Sequence, residues 1–381
     1  MKSKQILIAI LLGGFVTAED NQLKFSGQVR QRYEMVNKDF SDTTGFNNKN
    51  YLRTRFSVSY QSEDVTTFVQ LQDSRIFGTE TSTLKDGTAD ALDVHQAYFK
   101  LNNLFGMSLN AKVGRFEAVY GPQRLIGSVG WHNIGRSFDG IVFNYTTNFA
   151  NVDFFNYKQV EAGTFEESDD FNVRGAYANL NLMKGHKTQA FAIQDNKRMT
   201  LGGYGKGAFG VVSYEMEFAI QNGNVSDDIK AGGLMYGINA GYKISGMTLS
   251  AGIDFISGDD PETADKNEAF NTLYATNHKY YGFMDYFLNL PVHTGGLGLQ
   301  DIHVKLNGFK FSGHVINVAY HMFNADKSSD SFGNELDITL VKKFADNVKF
   351  VAGYSMFMPG KLKAENGENG NFVYLMTIVN F

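Results

Sequence analysis

A period of two runs through this chain from end to end, and it allows little besides strands. Leu23, Phe25, Val29, Tyr33 and Met35 share one parity, against Lys24, Ser26, Gln28, Arg30, Arg32 and Glu34 on the other. Leu52, Thr54, Phe56, Val58 and Tyr60 alternate in the same way with Arg53, Arg55, Ser57, Ser59 and Gln61. Far downstream, Leu249, Ala251, Ile253 and Phe255 alternate with Thr248, Ser250, Gly252 and Asp254. Side chains two apart share one face of a strand, so each segment has an apolar face and a wet face. The last such run ends on Phe381, with Val373, Leu375 and Val379 on the same face.

The first residues read differently. Lys2 and Lys4, the apolar run Ile6 to Val16 and the small residues Val16-Thr17-Ala18 have the charge, length and ending of a secretory signal cleaved after residue 18. That run is too short for a membrane helix, which needs about 20 apolar residues. Residues 19–381 then form one domain. An exported chain of two-faced strands is expected to be all-β: an antiparallel transmembrane barrel in the bacterial outer membrane, apolar face to lipid and polar face to water. Aromatics at 14 %, 40 Gly and only 4 Pro suit such strands and their interfacial girdles. With no Cys there is no disulfide, thiol nucleophile or thiolate metal site. Loss of Lys2 and Lys4 leaves 33 of the 35 basic residues against 40 acidic ones, a net charge of −7, which argues against nucleic acid as a partner.

The connections alternate short and long. Short ones are expected at Ser62-Glu63-Asp64, Asn102 to Gly106, Thr146 to Asn151, Lys184-Gly185-His186, Gly205-Lys206-Gly207, Ser245-Gly246, Asn307-Gly308 and Ala345-Asp346-Asn347. Longer polar stretches lie near 38–49, 78–90, 118–135, 161–170, 223–231, 258–298, 325–333 and 359–370, and only Asp195-Asn196-Lys197 is short where a long one is due. Short periplasmic turns and long extracellular loops are the barrel pattern. The count comes to about 18 strands, and barrels of 16–18 strands enclose an aqueous lumen. The first strand follows the signal so closely that no plug domain fits before it, so the chain is expected to be an open or loop-gated pore.

Parity places Arg30, Arg32, Arg53, Arg55 and Arg136 on the lumen face. Guanidinium groups stay charged and grip carboxylates in a fork, so this wall either favours anionic solutes or pairs with lumen acids such as Glu34 and braces the barrel. The stretch 118–135, with its glycines and the only tryptophan, Trp131, is expected to fold into the lumen and form a constriction. Asp73 and Arg75 share a face with Val69 and Leu71, and Arg115 with Leu109 and Val113. They reach the lumen only if their strands bulge or have already left the bilayer.

The block Gly114-Arg115-Phe116-Glu117, Tyr120-Gly121, Arg124-Leu125-Ile126-Gly127-Ser128, Trp131-His132-Asn133 and Gly135-Arg136-Ser137-Phe138-Asp139-Gly140 resembles the signature of the alginate-export family of outer-membrane channels. Leu52-Arg53-Thr54-Arg55, Gln72-Asp73-Ser74-Arg75, His95-Gln96-Ala97-Tyr98 and Gly295 to Asp301 extend the resemblance over most of the chain. It implies an 18-stranded monomeric barrel whose arginine-lined constriction passes an anionic polyuronate, with a periplasmic scaffold or polymerase complex as partner. By position it implies that Arg53, Arg55, Asp73, Arg75, Arg115, Arg124, Arg136 and Asp139 line the pore. No arginine lies beyond Arg198, so the second half supplies none to complete a ring.

Three other readings compete. A general diffusion porin for small hydrophilic solutes would share the barrel without a saturable site. An outer-membrane enzyme would need a nucleophile and base on the barrel rim, and neither His95 nor His132 sits in a recognisable pattern of that kind. Asp259, Asp260 and Glu262 cluster in the loop 258–298 as a candidate Ca²⁺ site, but without the spacing of a calcium-binding helix–loop–helix. Otherwise no cofactor is expected. Lipid and an anionic oligo- or polysaccharide are the expected partners.

Overall fold

The computed structural model describes residues 22–79, 92–160 and 171–381. The signal segment 1–18 lies outside these, as do most of the long stretches 78–90 and 161–170. Eighteen antiparallel strands form one sheet that closes on itself. In chain order they are β1 (Gln22–Asn37), β2 (Asn47–Gln61), β3 (Val65–Ile76), β4 (Asp93–Leu101), β5 (Leu109–Phe116), β6 (Phe138–Thr146), β7 (Ala150–Val160), β8 (Phe171–Leu180) and β9 (Lys187–Asp195). The second half comprises β10 (Arg198–Phe209), β11 (Val212–Gly223), β12 (Leu234–Ile244), β13 (Met247–Ile256), β14 (Leu299–Phe311), β15 (His314–Asn324), β16 (Ser331–Ala345), β17 (Val348–Pro359) and β18 (Gly370–Asn380). Each pairs with its sequence neighbours, and β1 pairs with β18 from Gln28↔Asn380 to Asn37↔Asn371, so the barrel has no free edge.

Two turns differ from the sequence expectation. Gly205-Lys206-Gly207 lies inside β10, whose turn falls instead at Gly210, with a left-handed φ of +61°. The three residues continue the ladder against Tyr214, Glu215 and Met216, and a Cβ at Gly207 would run into the His186 ring. Asn307-Gly308 is a bulge within β14, where the register against β15 slips between Leu306 and Phe309, and the turn comes at Ser312-Gly313. A left-handed glycine serves a bulge as well as a turn, which is why the two look alike in sequence.

Burial follows parity. Phe25, Phe56, Val69, Phe143, Phe154, Leu249 and Leu375 stand exposed on the outer face, as a lipid-facing band requires. No helix among the described residues is long and apolar enough to cross a membrane. The packed core is unusual in lying inside the barrel. Phe116, Phe138, Tyr157, Phe191, Phe323 and Phe357 of the inner wall join Ile126, Phe270, Met284 and Phe287, which come from two long connections.

Candidate functional site

Those two connections, 117–137 and 257–298, both turn inward. Irregular backbone placed inside a wall of strands needs partners for its amides and carbonyls, and the arginine ladder supplies them. Register sets Arg30 opposite Arg53 and Gln28 opposite Arg55. Arg30 donates to the carbonyls of Gly130 (2.7 Å), Trp131 (3.2 Å) and His132 (2.9 Å). Arg32 donates to the Trp131 carbonyl at 2.5 Å, pairs with Glu34 at 2.6 Å and lies 4.0 Å over the indole. Arg53 reaches the Gly130 and His132 carbonyls at 3.3 Å each. A guanidinium offers five donors in a fixed plane, and three of them here converge on one tip of loop. Arg30, Arg32 and Arg53 are each at most 5 % exposed. The ladder therefore moors the loop instead of facing open water.

Arg55 completes the mooring from the next position. It donates to Gln72, to the Ile134 carbonyl at 3.0 Å and to Glu117 at 3.0 Å, and Glu117 also meets Nε2 of His95 at 2.9 Å. Burial pushes the Glu117 carboxyl up, but the His95 hydrogen bond and the Arg55 charge outweigh it and hold it below its ordinary 4.5. A carboxyl lowered on folding contributes stability above its unfolded value and loses it as the pH falls through the folded one. We expect channel conductance to stay level at neutral pH and to rise only in that acid window, as Arg55 lets go of the loop. Glu117→Gln should show the raised conductance at neutral pH already. Identical conductance–pH curves for the two proteins would rule this anchor out.

The loops also hold each other. Gly127 donates to the Tyr274 carbonyl at 2.9 Å, Tyr274 to that of Leu125 at 2.8 Å and Thr276 to that of Gln123 at 2.9 Å. Arg136, half-buried, donates to the carbonyls of Tyr274 and Ala275 and so clasps the second loop. Trp131 stacks on His278 of the second loop, with ring centroids 4.4 Å apart, and meets the Tyr374 ring of β18 edge-on at 4.9 Å. His132 is pushed below its ordinary value by burial and by the arginines around it. Its Nδ1 then accepts from the Ile134 amide at 3.2 Å.

Arg124 crosses to the other wall. It meets Asp254 at 2.8 Å and Glu217 at 3.5 Å, and lies 3.8 Å over the Tyr280 ring. Burial alone would push this guanidinium down, but Asp254 and its neighbours win and hold it well above its ordinary value. The loop is thus tied to arginines on one side of the barrel and to carboxylates on the other.

Four of the residues that family position assigns to the pore lie elsewhere. Arg115 and Asp139 face each other across β5 and β6, paired at 2.8 Å, on the outward parity shared with Ile141, Phe143 and Tyr145. Asp73 and Arg75 pair with each other on the outer face of β3, on the parity of exposed Val69 and half-buried Leu71. The bulge in this ladder lies on β4 at His95, opposite Gln70 and Leu71, and leaves β3 parity unchanged. Asp259, Asp260 and Glu262 do not assemble into a cation site. Asp259 accepts from the Glu268 amide and Asp260 from that of Glu262. Among the described residues the one set of three metal-capable side chains close enough to share an ion is Asp301, His303 and His321.

Sequence reasoning missed the infolding of the second loop. Its density of rings, from Tyr274 through Tyr280, Tyr281 and Phe283 to Tyr286 and Phe287, was the available signal. Ser137, His95 and Glu117 resemble a hydrolytic triad, but Ser137 Oγ donates to the His95 carbonyl at 2.6 Å and stands 3.4 and 3.5 Å from the ring nitrogens. The hydroxyl proton goes to the carbonyl, and the contacts to the ring nitrogens are longer than the roughly 2.6–3.2 Å of an activated nucleophile.

Below the loops two cavities remain, of about 340 and 250 Å³. Both are lined by Lys279, Tyr280, Lys305 and Asn307; Lys206, Glu215 and Glu217 border the first, Asp337 and His321 the second.

The chain matches the model of the alginate export family over residues 21–375. No curated protein matches it in sequence. Among solved structures it is similar to OccAB4 of Acinetobacter baumannii, with a TM-score of 0.66 at 11 % identity over 95 % of this chain and 99 % of that one. OccD3 of Pseudomonas aeruginosa gives 0.64 at 13 % identity over 94 % and 91 %. OpdK of the same organism, solved with vanillate, gives 0.63 at 13 % over 94 % and 98 %.

Proposed function

The chain belongs to the alginate-export family, and from that premise we propose a passive outer-membrane channel for small anionic hydrophilic solutes, acidic saccharides first among them. The observation that carries this reading is the pair Lys279 and Lys305, which border both cavities left open beneath the loops. A solute crossing this level passes both ammonium groups, one from a loop and one from the wall. Rings of basic side chains at a narrow point favour anions. The moored arginines act on the solute indirectly, by keeping the lumen narrow. Short uronate oligomers suit so narrow a lumen better than a free-running polymer, and the periplasmic scaffold that an exporter needs belongs to the polymer reading. OpdK, a barrel of the same fold, was solved with vanillate, a small carboxylate.

The test is conductance in a planar bilayer, titrated with uronate oligomers and with neutral oligosaccharides of equal size. Saturable block by the uronates alone is expected, weakened about tenfold in Lys279→Gln/Lys305→Gln, the loss of two charge-assisted contacts partly screened by lumen water. Equal block by both sugars would favour the second reading, a general diffusion porin. That reading draws on Glu215, Glu217 and Asp337, which line the same cavities and offset the lysines.

A further inference from the structure

Three side chains of the inner wall take no part in mooring the loops. Register places His303 of β14 opposite His321 of β15, with Asp301 two positions along β14 on the same face. All three are at most 2 % exposed. Oδ2 of Asp301 lies 2.8 Å from Nδ1 of His321 and 3.4 Å from Nδ1 of His303, and one donor atom from each lies within 4.8 Å of the others. A tetrahedral ion with bonds of about 2.0–2.2 Å sets its ligand atoms roughly 3.3–3.5 Å apart. Only small side-chain shifts separate the trio from that geometry.

A second observation concerns the ring of His303. Nδ1 of His303 is buried and makes no well-formed hydrogen bond, its contact with Oδ2 of Asp301 being 3.4 Å. Its Nε2 lies 3.0 Å from the Asn239 amide, which fixes the ring with Nδ1 turned toward Asp301. A metal-bound histidine usually donates its second ring N–H to an outer acceptor, a part the side-chain oxygen of Asn239 plays once that amide is turned over. An entry path exists, since His303 borders one lumen cavity and His321 the other.

We propose that Asp301, His303 and His321 bind one divalent transition-metal ion of the zinc class on the lumen wall. Two imidazoles and one carboxylate suit Zn²⁺, Co²⁺ or Ni²⁺, whereas Ca²⁺ and Mg²⁺ take all-oxygen shells. The site adjoins the hold on the second loop: His321 Nε2 lies 3.9 Å from Asp337, which accepts from the Phe283 amide at 3.3 Å. A bound ion adds positive charge to the acidic side of the lumen, beside that hold.

The experiment uses the full chain without an affinity tag, in detergent, stripped with a chelator and titrated with Co²⁺. One Co²⁺ per chain is expected, with the strong visible bands of four-coordination, displaced by Zn²⁺. His303→Gln should weaken binding at least tenfold, while His314→Gln at the start of β15, beside the turn, should leave it unchanged. Absence of saturable binding, or equal binding by folded His303→Gln, would overturn the proposal. X-ray absorption on the Zn²⁺-loaded wild type needs no variant. A shell with two imidazoles supports the site, and a shell of oxygens alone overturns it.

Discussion

Replacing Arg30, Arg32 and Arg53 together with alanine is expected to raise single-channel conductance severalfold and shift Trp131 emission to longer wavelength. The three side chains make six hydrogen bonds to the carbonyls of Gly130, Trp131 and His132. Bonds from a charged donor contribute about 1.5–3 kcal/mol each, so their joint loss exceeds what the remaining contacts of the loop tip replace. Three carbonyls would then sit inside the barrel without donors, and the loop moves to where water can reach them. Trp131 is the only tryptophan, so the emission change reports this loop alone. If the arginines instead served as a free anion wall, the triple variant would change ion preference at constant conductance and constant emission. That outcome would refute the mooring role.

Arg124→Met should act in the opposite sense on stability and on charge. It removes the guanidinium that separates Asp254 from Glu217, both of which are almost fully buried. Removing one partner of a buried ion pair costs about 3–5 kcal/mol, much of it from the carboxylates left behind. The folded band on an unheated gel should disappear at a lower urea concentration than in the wild type. The reversal potential in a salt gradient should shift toward cations, because two lumen carboxylates lose their counter-charge. A variant with unchanged urea midpoint and unchanged reversal potential would show that Arg124 is dispensable to this wall.

Much of the barrel is legible in the sequence because a strand needs only local alternation. The parity of Arg30, Arg32, Arg53 and Arg55 is read directly, and so is the inward turn of a glycine-rich loop bearing a lone Trp131. What those arginines touch is not legible, since it depends on how far the loop descends. The same loop length would allow a tip near the rim, with the guanidiniums free. The set of Asp301, His303 and His321 is hidden for another reason. The two histidines lie eighteen residues apart on separate strands, and only the pairing of β14 with β15, bulge included, brings them opposite each other. Arg115 and Asp139 show the reverse case. Family position put them in the pore, whereas the alternation of Leu109 and Val113 had already put Arg115 outside. Local parity proved the better guide.

Trp131 touches both ends of the barrel at once. Its ring lies under Arg32 of the first strand and against Phe372 and Tyr374 of the last. Those two strands are neighbours only across the seam that closes the cylinder. Without that seam, half of the loop's seat does not exist. The seat of Trp131 is therefore complete only on a closed cylinder, so the narrowing of the lumen depends on the closing seam. A defect at that seam would reach the constriction directly, through the one ring that both terminal strands hold.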